Sequence, residues 1–378
     1  MPAEAELSGQ RAGSTLDPRW RAERLQLQER ALPTGRVVVS CPAPYGVGGL
    51  GRHAQEIVEA LGRRQQTAVY ISDVTRKASR RSGPLPALRS AAGRTVVRSF
   101  PAWRMSRGSV RFDAFAAGGL PQADHLVAFN GTALAQLQAA SRLGYDSASL
   151  MSANSHMRRV IRQHDRAHRD YPLERPWATR LLERNLEEYE LADRIHVASR
   201  YVWESFSEQG VADERLSFFP LTPDPRYEPL PRTPSDTFDV LYVGSLLVHK
   251  GVPLLLDAFR RLAHPDMRLI LVGGWKTRGM RRYVQRALAE DPRISVQAGD
   301  PLPRLLGARL CVHAAYEDGF AYAPAEALAC GVPVIVSEDT GMKELVSPGA
   351  NGMIVPTGDL VALSEAIDAA YRGEILRG

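Results

Sequence analysis

The chain has 378 residues, 44% of them hydrophobic, enough apolar material for two or three domains with separate cores. No stretch reaches the ~18 consecutive apolar residues of a spanning helix, and Met1 to Gly13 lacks a charged-then-apolar leader pattern, so a cytoplasmic protein is expected. The net charge of +6 is uneven, 31 basic against 23 acidic residues over 1–220 and 17 against 19 over 221–378, while Cys41, Cys311 and Cys330 fit neither a disulfide framework nor a zinc knuckle.

Residues 1–35 are polar and weakly periodic, expected as an N-terminal leader that is mobile or forms one loose helix. A first domain is expected over 36–219. In it Arg36–Cys41 reads as a β-branched strand, Tyr45–Gly51 as a glycine-rich turn, and Arg52–Gly62 as a helix with Ile57, Val58 and Leu61 on one side. Gly46, Gly48 and Gly51 fit a dinucleotide fingerprint, whose companion acid Asp73 meets only weakly; a turn without a ligand is the other reading. Strands are expected at Thr67–Ile71, Thr95–Phe100, His125–Phe129 and Ser147–Met151, apolar throughout and spaced for crossovers, which indicates a parallel sheet covered on both faces. Residues 74–112 hold ten basic and no acidic side chains. They are either a solvated arginine-rich loop or a face for the phosphates of a lipid-linked acceptor or an anionic membrane.

Six prolines in Pro220–Ser235 deny helix and central-strand hydrogen bonding and mark the linker, 220–235. The strand-helix rhythm restarts in a second domain, 236–378, with strands at Phe238–Val243, Arg268–Val272, Arg309–His313 and Val332–Ser337 and helices at Val252–Leu262 and near Arg281–Ala289. The fold class is α/β, two Rossmann-like doubly wound parallel-sheet domains in series.

The run Asp318 to Ile335 (DGFAYAPAEALACGVPVI) follows a predicted strand, and loops leaving the carboxyl ends of parallel strands line the ligand crevice. Pro324 suits a first helical turn and puts Glu326 near the third helical position. Two carboxylates eight residues apart can then grip different parts of one elongated ligand. The residues alone fit equally well a turn at Asp318-Gly319 and a helix-capping Glu326.

This run resembles the signature of the retaining glycosyltransferases of family four, which have the GT-B fold, two domains facing across a cleft. The resemblance assigns Asp318, where the family usually has Glu, to the sugar hydroxyls of a nucleotide-sugar donor, and Glu326 to the ribose hydroxyls. Backbone amides of Gly319, Phe320 and Ala321 then face sugar and phosphates. Tyr242–Val252 resembles the family's diphosphate-binding strand end and loop, with Lys250 in place and Ser245, a neutral donor, where the family usually has Arg. Leu269–Gly274 resembles the strand and glycine turn beside the base pocket, which brings in Gly274. Gly341–Val355 resembles the segment closing the domain, and Ala192–Ser199 the last strand of the first domain. Gly48, Gly49 and Gly51 become a flexible loop near donor phosphates and acceptor, and His156 the histidine that meets the donor sugar.

The similarity runs over roughly 36–370 and implies retaining, metal-independent transfer, in keeping with the lack of any Asp-x-Asp motif in the chain. No cofactor is implied beyond the nucleotide-diphosphate-sugar co-substrate. The acceptor is a glycan, a lipid-linked species or a small molecule, with peripheral contact at the inner membrane face through 74–112 and no nucleic-acid partner. A non-catalytic sugar- or nucleotide-binding relative and a GT-B-fold sugar epimerase are the alternatives.

Overall fold

The computed structural model describes residues 18–72, 88–89, 101–176, 178–229, 231–232 and 235–374. They build two sheets, each parallel throughout. The first consists of β1 (Arg36–Ser40), β2 (Thr67–Ser72), β3 (Leu88–Arg89), β4 (His125–Phe129), β5 (Ser147–Ser152), β6 (Arg194–Val197) and β7 (Leu216–Phe218), in the order β3-β2-β1-β4-β5-β6-β7. Val37, Val38 and Val39 are fully buried, because a parallel strand covered on both faces has no polar side to present. Register follows from those side chains, with Val38 opposite both Val69 and Leu126.

The second sheet consists of β8 (Phe238–Val243), β9 (Met267–Val272), β10 (Ile294–Gln297), β11 (Leu310–His313), β12 (Val334–Ser337) and β13 (Gly352–Val355), in the order β10-β9-β8-β11-β12-β13. Its core is apolar: Leu255 and Phe259 from the helix Val252–Arg260, Leu269 and Leu271 from β9, Ile335 from β12 and Ile367 from the helix Leu360–Tyr371 are all fully buried. From β8 the chain first winds outward through β9 and β10, then returns to place β11 on the other side of β8. Loops leaving β8 and β11 therefore diverge at the sheet's topological switch point, where doubly wound folds bind ligands.

The chain divides into two compact units, and the division departs from the expected boundaries. The changeover at Leu221/Thr222 falls inside the proline-rich segment, but Arg162–Pro176 packs with the second sheet rather than the first. Residues of the expected loose leader form the helix Pro18–Ala31, and from Arg24 onward it belongs to the first unit. Arg24 and Gln28 are buried there and donate to the carbonyls of Leu221 (3.0 Å) and Pro220 (2.9 Å). Polar side chains that bury by serving backbone acceptors leave no apolar stripe to read.

The expected strand Thr95–Phe100 and most of the basic stretch 74–112 lie outside the described residues; β3 was not expected. Strands β7, β10 and β13 were also unforeseen, being only three or four residues long. All three cysteines are free and buried.

Candidate functional site

The loop after β8 is shaped by its glycines and by its neighbour after β9. The Gly244 amide donates to the Val272 carbonyl (2.9 Å) and the Leu246 amide to that of Gly274 (3.1 Å), which carries the parallel alignment beyond the strand ends. The Tyr242 hydroxyl donates to the Ser245 carbonyl at 2.9 Å. Gly251 closes the loop at φ +70°, in the left-handed region, and a Cβ there would overlap the Ala314 carbonyl oxygen. Gly251→Ala is thus expected to cost at least about 2 kcal/mol, from left-handed strain plus displaced backbone. Thermal unfolding should show it as a melting point lowered by about 4–8 °C. An unchanged melting point would mean that the loop does not approach β11 this closely.

That approach delivers the loop's cation. Lys250 Nζ donates to Asp318 Oδ2 at 2.8 Å and to the Glu317 carbonyl at 3.4 Å. His313 Nε2, at the end of β11, lies 3.2 Å from the same Asp318 oxygen. The backbone of Asp318 is anchored on both sides, its amide donating to the Asp339 carbonyl (3.3 Å) and its carbonyl accepting from the Gly341 amide (2.9 Å). Burial pushes the Asp318 carboxyl upward, but the Lys250 charge and the His313 contact outweigh it and hold the group well below the usual carboxylate range. Burial likewise disfavours the Lys250 ammonium, and the negative charges of Asp318 and Glu317 more than offset this, raising its pKa. Both groups are therefore ionised at neutral pH. The pair's contribution is lost only as pH falls through the depressed carboxylate value or rises through the elevated ammonium value.

The helix carrying the second acid is Tyr322–Ala329. It starts earlier than the proline suggested: Pro324 is its third residue and Glu326 its fifth, so Glu326 stands in the second turn rather than at the third position. Glu326 is 3% exposed. Burial and then the Glu326 charge raise the Cys311 thiol to about 12 and the Cys330 thiol to about 11, and the same two causes lift the Tyr227 phenol to about 12. Ala321 caps this helix at φ +64°, ψ +98°, a backbone that L-residues rarely adopt, with Gly319 and the buried Phe320 just before it. Ser245 and Gly274 flank the same strand ends.

The remaining sequence candidates lie in the other unit. Gly48, Gly49 and Gly51 were expected in a flexible loop ahead of a helix starting at Arg52, but the helix runs Gly48–Arg63 and they form its first turn. A Cβ at Gly51 would overlap the Pro44 carbonyl oxygen, and the Gly46 amide donates to the Gly51 carbonyl at 2.9 Å, so the turn is tight; Gly48 and Gly49 face open space. They occupy the switch point of the first sheet, after β1 and beside β4. His156 precedes the helix Met157–Asp170 and is 3% exposed, its ring packed on Tyr189 (4.8 Å) and Phe206 (5.2 Å) and its amide donating to Ser205 Oγ. Burial, with Arg158 and Arg159 next, lowers its pKa to about 4 and keeps it neutral. His313 escaped the sequence reading. The available signal was its place as last residue of a predicted strand on the crevice side.

Residues 227–377 match the model of the family Glycosyl transferases group 1. The match takes in 151 of the 378 residues, all of them in the second half of the chain. Among curated proteins, the capsular polysaccharide biosynthesis glycosyltransferase CapM of Staphylococcus aureus is 28% identical over 148 residues, which cover 38% of this chain and 39% of CapM. The phosphatidyl-myo-inositol mannosyltransferase of Mycobacterium leprae is 30% identical over 133 residues, 34% of this chain and 35% of its own length. The chain thus spans about two-fifths of these relatives in alignment. Solved structures extend over nearly the whole chain. Sucrose-phosphate synthase from Thermosynechococcus elongatus superposes with a TM-score of 0.71 at 21% identity, covering 89% of this chain and 90% of that one. The Anabaena protein HepE, crystallised with UDP and glucose, gives 0.66 at 17% identity, covering 91% and 92%. Such identities establish the fold, which is GT-B.

Proposed function

We propose that the protein is a nucleotide-sugar-dependent glycosyltransferase of the retaining, metal-independent kind, passing a sugar to a glycan, lipid-linked or small-molecule acceptor. The observation that carries this reading is the Lys250–Asp318 pair at the switch point of the second sheet, 2.8 Å apart and within the residues that match the family. A departing nucleoside diphosphate gains negative charge as the glycosidic bond breaks, and a fixed ammonium in a partly dry site stabilises that charge without reorganisation. Among the described residues no group of three or more His, Cys, Asp or Glu side chains is placed to hold a metal ion, and the proposal assigns the offsetting charge to Lys250. Asp318 accepts hydrogen bonds from sugar hydroxyls, and Glu326, fixed among buried side chains, accepts those of the ribose. Retention follows if the acceptor attacks on the face from which the diphosphate leaves.

HepE was crystallised with UDP, and the proposal extends a nucleotide donor of this class to the present chain. The proposed site of action is the cytoplasm, at the inner membrane face when the acceptor is lipid-linked. Among the described residues no helix is long and apolar enough to cross a membrane.

A thermal-shift screen against UDP, GDP, ADP and dTDP, followed by transfer assays with the matching sugar donors, tests the reading, since a ligand stabilises the native state in proportion to its occupancy. One nucleotide should raise the melting point, and the product anomer should match the donor. No response to any of the four, or release of a free epimerised sugar, would overturn it. Glu326→Ala should weaken binding of the responding nucleotide about tenfold or more, the cost of losing charge-assisted hydrogen bonds. Titration calorimetry reads this directly, and an unaltered dissociation constant would remove Glu326 from ribose binding.

A further inference from the structure

The stretch Arg162–Pro176 comes between β5 and β6 in the chain, yet it packs with the second unit, and its contacts converge on the two segments that carry Lys250 and Asp318. On the lysine side, Glu174 Oε1 accepts the Val248 amide at 3.1 Å. His168 Nε2 stands 3.9 Å from that same carboxylate oxygen while its Nδ1 meets the His164 carbonyl at 2.6 Å. The ring of His164 stacks on that of His249, the residue before Lys250, with centroids 4.1 Å apart. On the aspartate side, the fully buried Tyr316 donates its hydroxyl to Asp170 at 2.7 Å. The two sides are joined by the Tyr316 amide, which donates to the His249 carbonyl at 2.8 Å. Docking is close as well as polar: Ala167 is part of the second unit's core, and a Cβ on Gly279 would overlap the Leu173 carbonyl oxygen.

We infer that this arm positions the site: Glu174, His164 and Asp170 hold the loop 248–251 and the segment 316–318 in the register that sets Lys250 against Asp318. A loop end with one backbone amide capped, one ring stacked and one neighbour tied has few alternative conformations. Without the arm, Lys250 keeps four rotatable side-chain bonds while its loop loses the cap on the Val248 amide and the stack on His249. The catalytic consequence depends on the transferase reading above; the structural one does not.

The chain's four lysines, Lys77, Lys250, Lys276 and Lys343, make this measurable without substrate. Lysine labelled with carbon-13 at Cε gives one resonance for each, and Lys250→Arg identifies the line of Lys250. At fixed neutral pH, Glu174→Ala and Tyr316→Phe should each move that line toward the positions of the other lysines and broaden it, whereas Glu174→Gln, which still offers Val248 an acceptor, should leave it near its wild-type place. A Lys250 line unmoved in both Glu174→Ala and Tyr316→Phe, with only the melting point lowered, would reduce the arm to a packing element and overturn the inference. Tyr316→Phe carries the test if Glu174→Ala does not fold. A Gln variant displaced as far as the Ala variant would overturn the role given to the Val248 bond. In transfer assays the same two displaced variants should lose about tenfold or more in kcat with KM nearly unchanged, as small misplacements of a reacting group do. A wild-type protein that transfers nothing would sink the transferase reading while leaving the lysine result intact.

Discussion

Replacing Lys250 by alanine is expected to lower kcat/KM for sugar transfer by about 100- to 1000-fold, a loss of about 3–4 kcal/mol in transition-state stabilisation, as for removal of one preorganised donor. The size follows from placement. Lys250 Nζ lies 2.8 Å from a carboxylate that is itself largely buried, so the ammonium acts in a medium poorer in water than a surface lysine meets. Its attraction for a diphosphate rises as the bond to the sugar breaks, which puts the effect on kcat more than on KM. Alanine also strands the Asp318 charge beside His313, so some stability will be lost, and Lys250→Arg separates the two effects. Arginine restores a cation but not a compact ammonium, and should recover the melting point more fully than turnover. Wild-type turnover by Lys250→Ala would remove this residue from the chemistry.

Acidification is expected to destabilise the protein steeply below about pH 6.5, the ordinary histidine value. His53 and His196 in the first unit are fully buried, and burial first, with His196 next for His53 and the Arg194 charge next for His196, lowers each to about 3. In the second unit burial, then Lys250 and His168, lowers His164 to about 3, and burial with His164 behind it puts His249 well below its ordinary value. All four are neutral in the folded chain. An unfolded chain takes up their protons near pH 6.5, so stability is complete above that value and is lost as pH falls toward the folded values. The slope is at most about 1.4 kcal/mol per group per pH unit, and two such groups in one unit imply a melting point lower by on the order of 10 °C at about pH 5 than at about pH 7.5. A melting point flat across that interval would mean that these rings reach solvent or a compensating acid.

Most of the sheet framework was legible because the strands that matter are apolar on both faces. His125–Phe129 and Phe238–Val243 were expected with the bounds they have, since no polar alternation offers a competing period. Ile294–Gln297 was not, because a short edge strand half exposed to solvent looks like a loop. The site divides in the same way. Asp318 and Lys250 were found through a family pattern, not through their own spacing: they are 68 positions apart, and only the strand order makes them neighbours. Only its place at the end of a predicted strand hints at His313 as their third partner, and nothing local marks Gly251 as a place where a missing side chain lets two loops meet. The arm 162–176 was the hardest to foresee. Of Arg162, His164, Arg166, His168, Arg169 and Asp170 only the two histidines are buried, His164 against the ring of His249 far along the chain, a contact that no local spacing announces.

The winding of the second sheet separates conservation of chemistry from freedom of specificity. Everything from Val252 to Arg309 is an excursion that leaves β8 and comes back beside it, so under the proposed transferase reading changes in the outer strands and their loops can alter what a donor meets while the ammonium and the carboxylate keep their handshake.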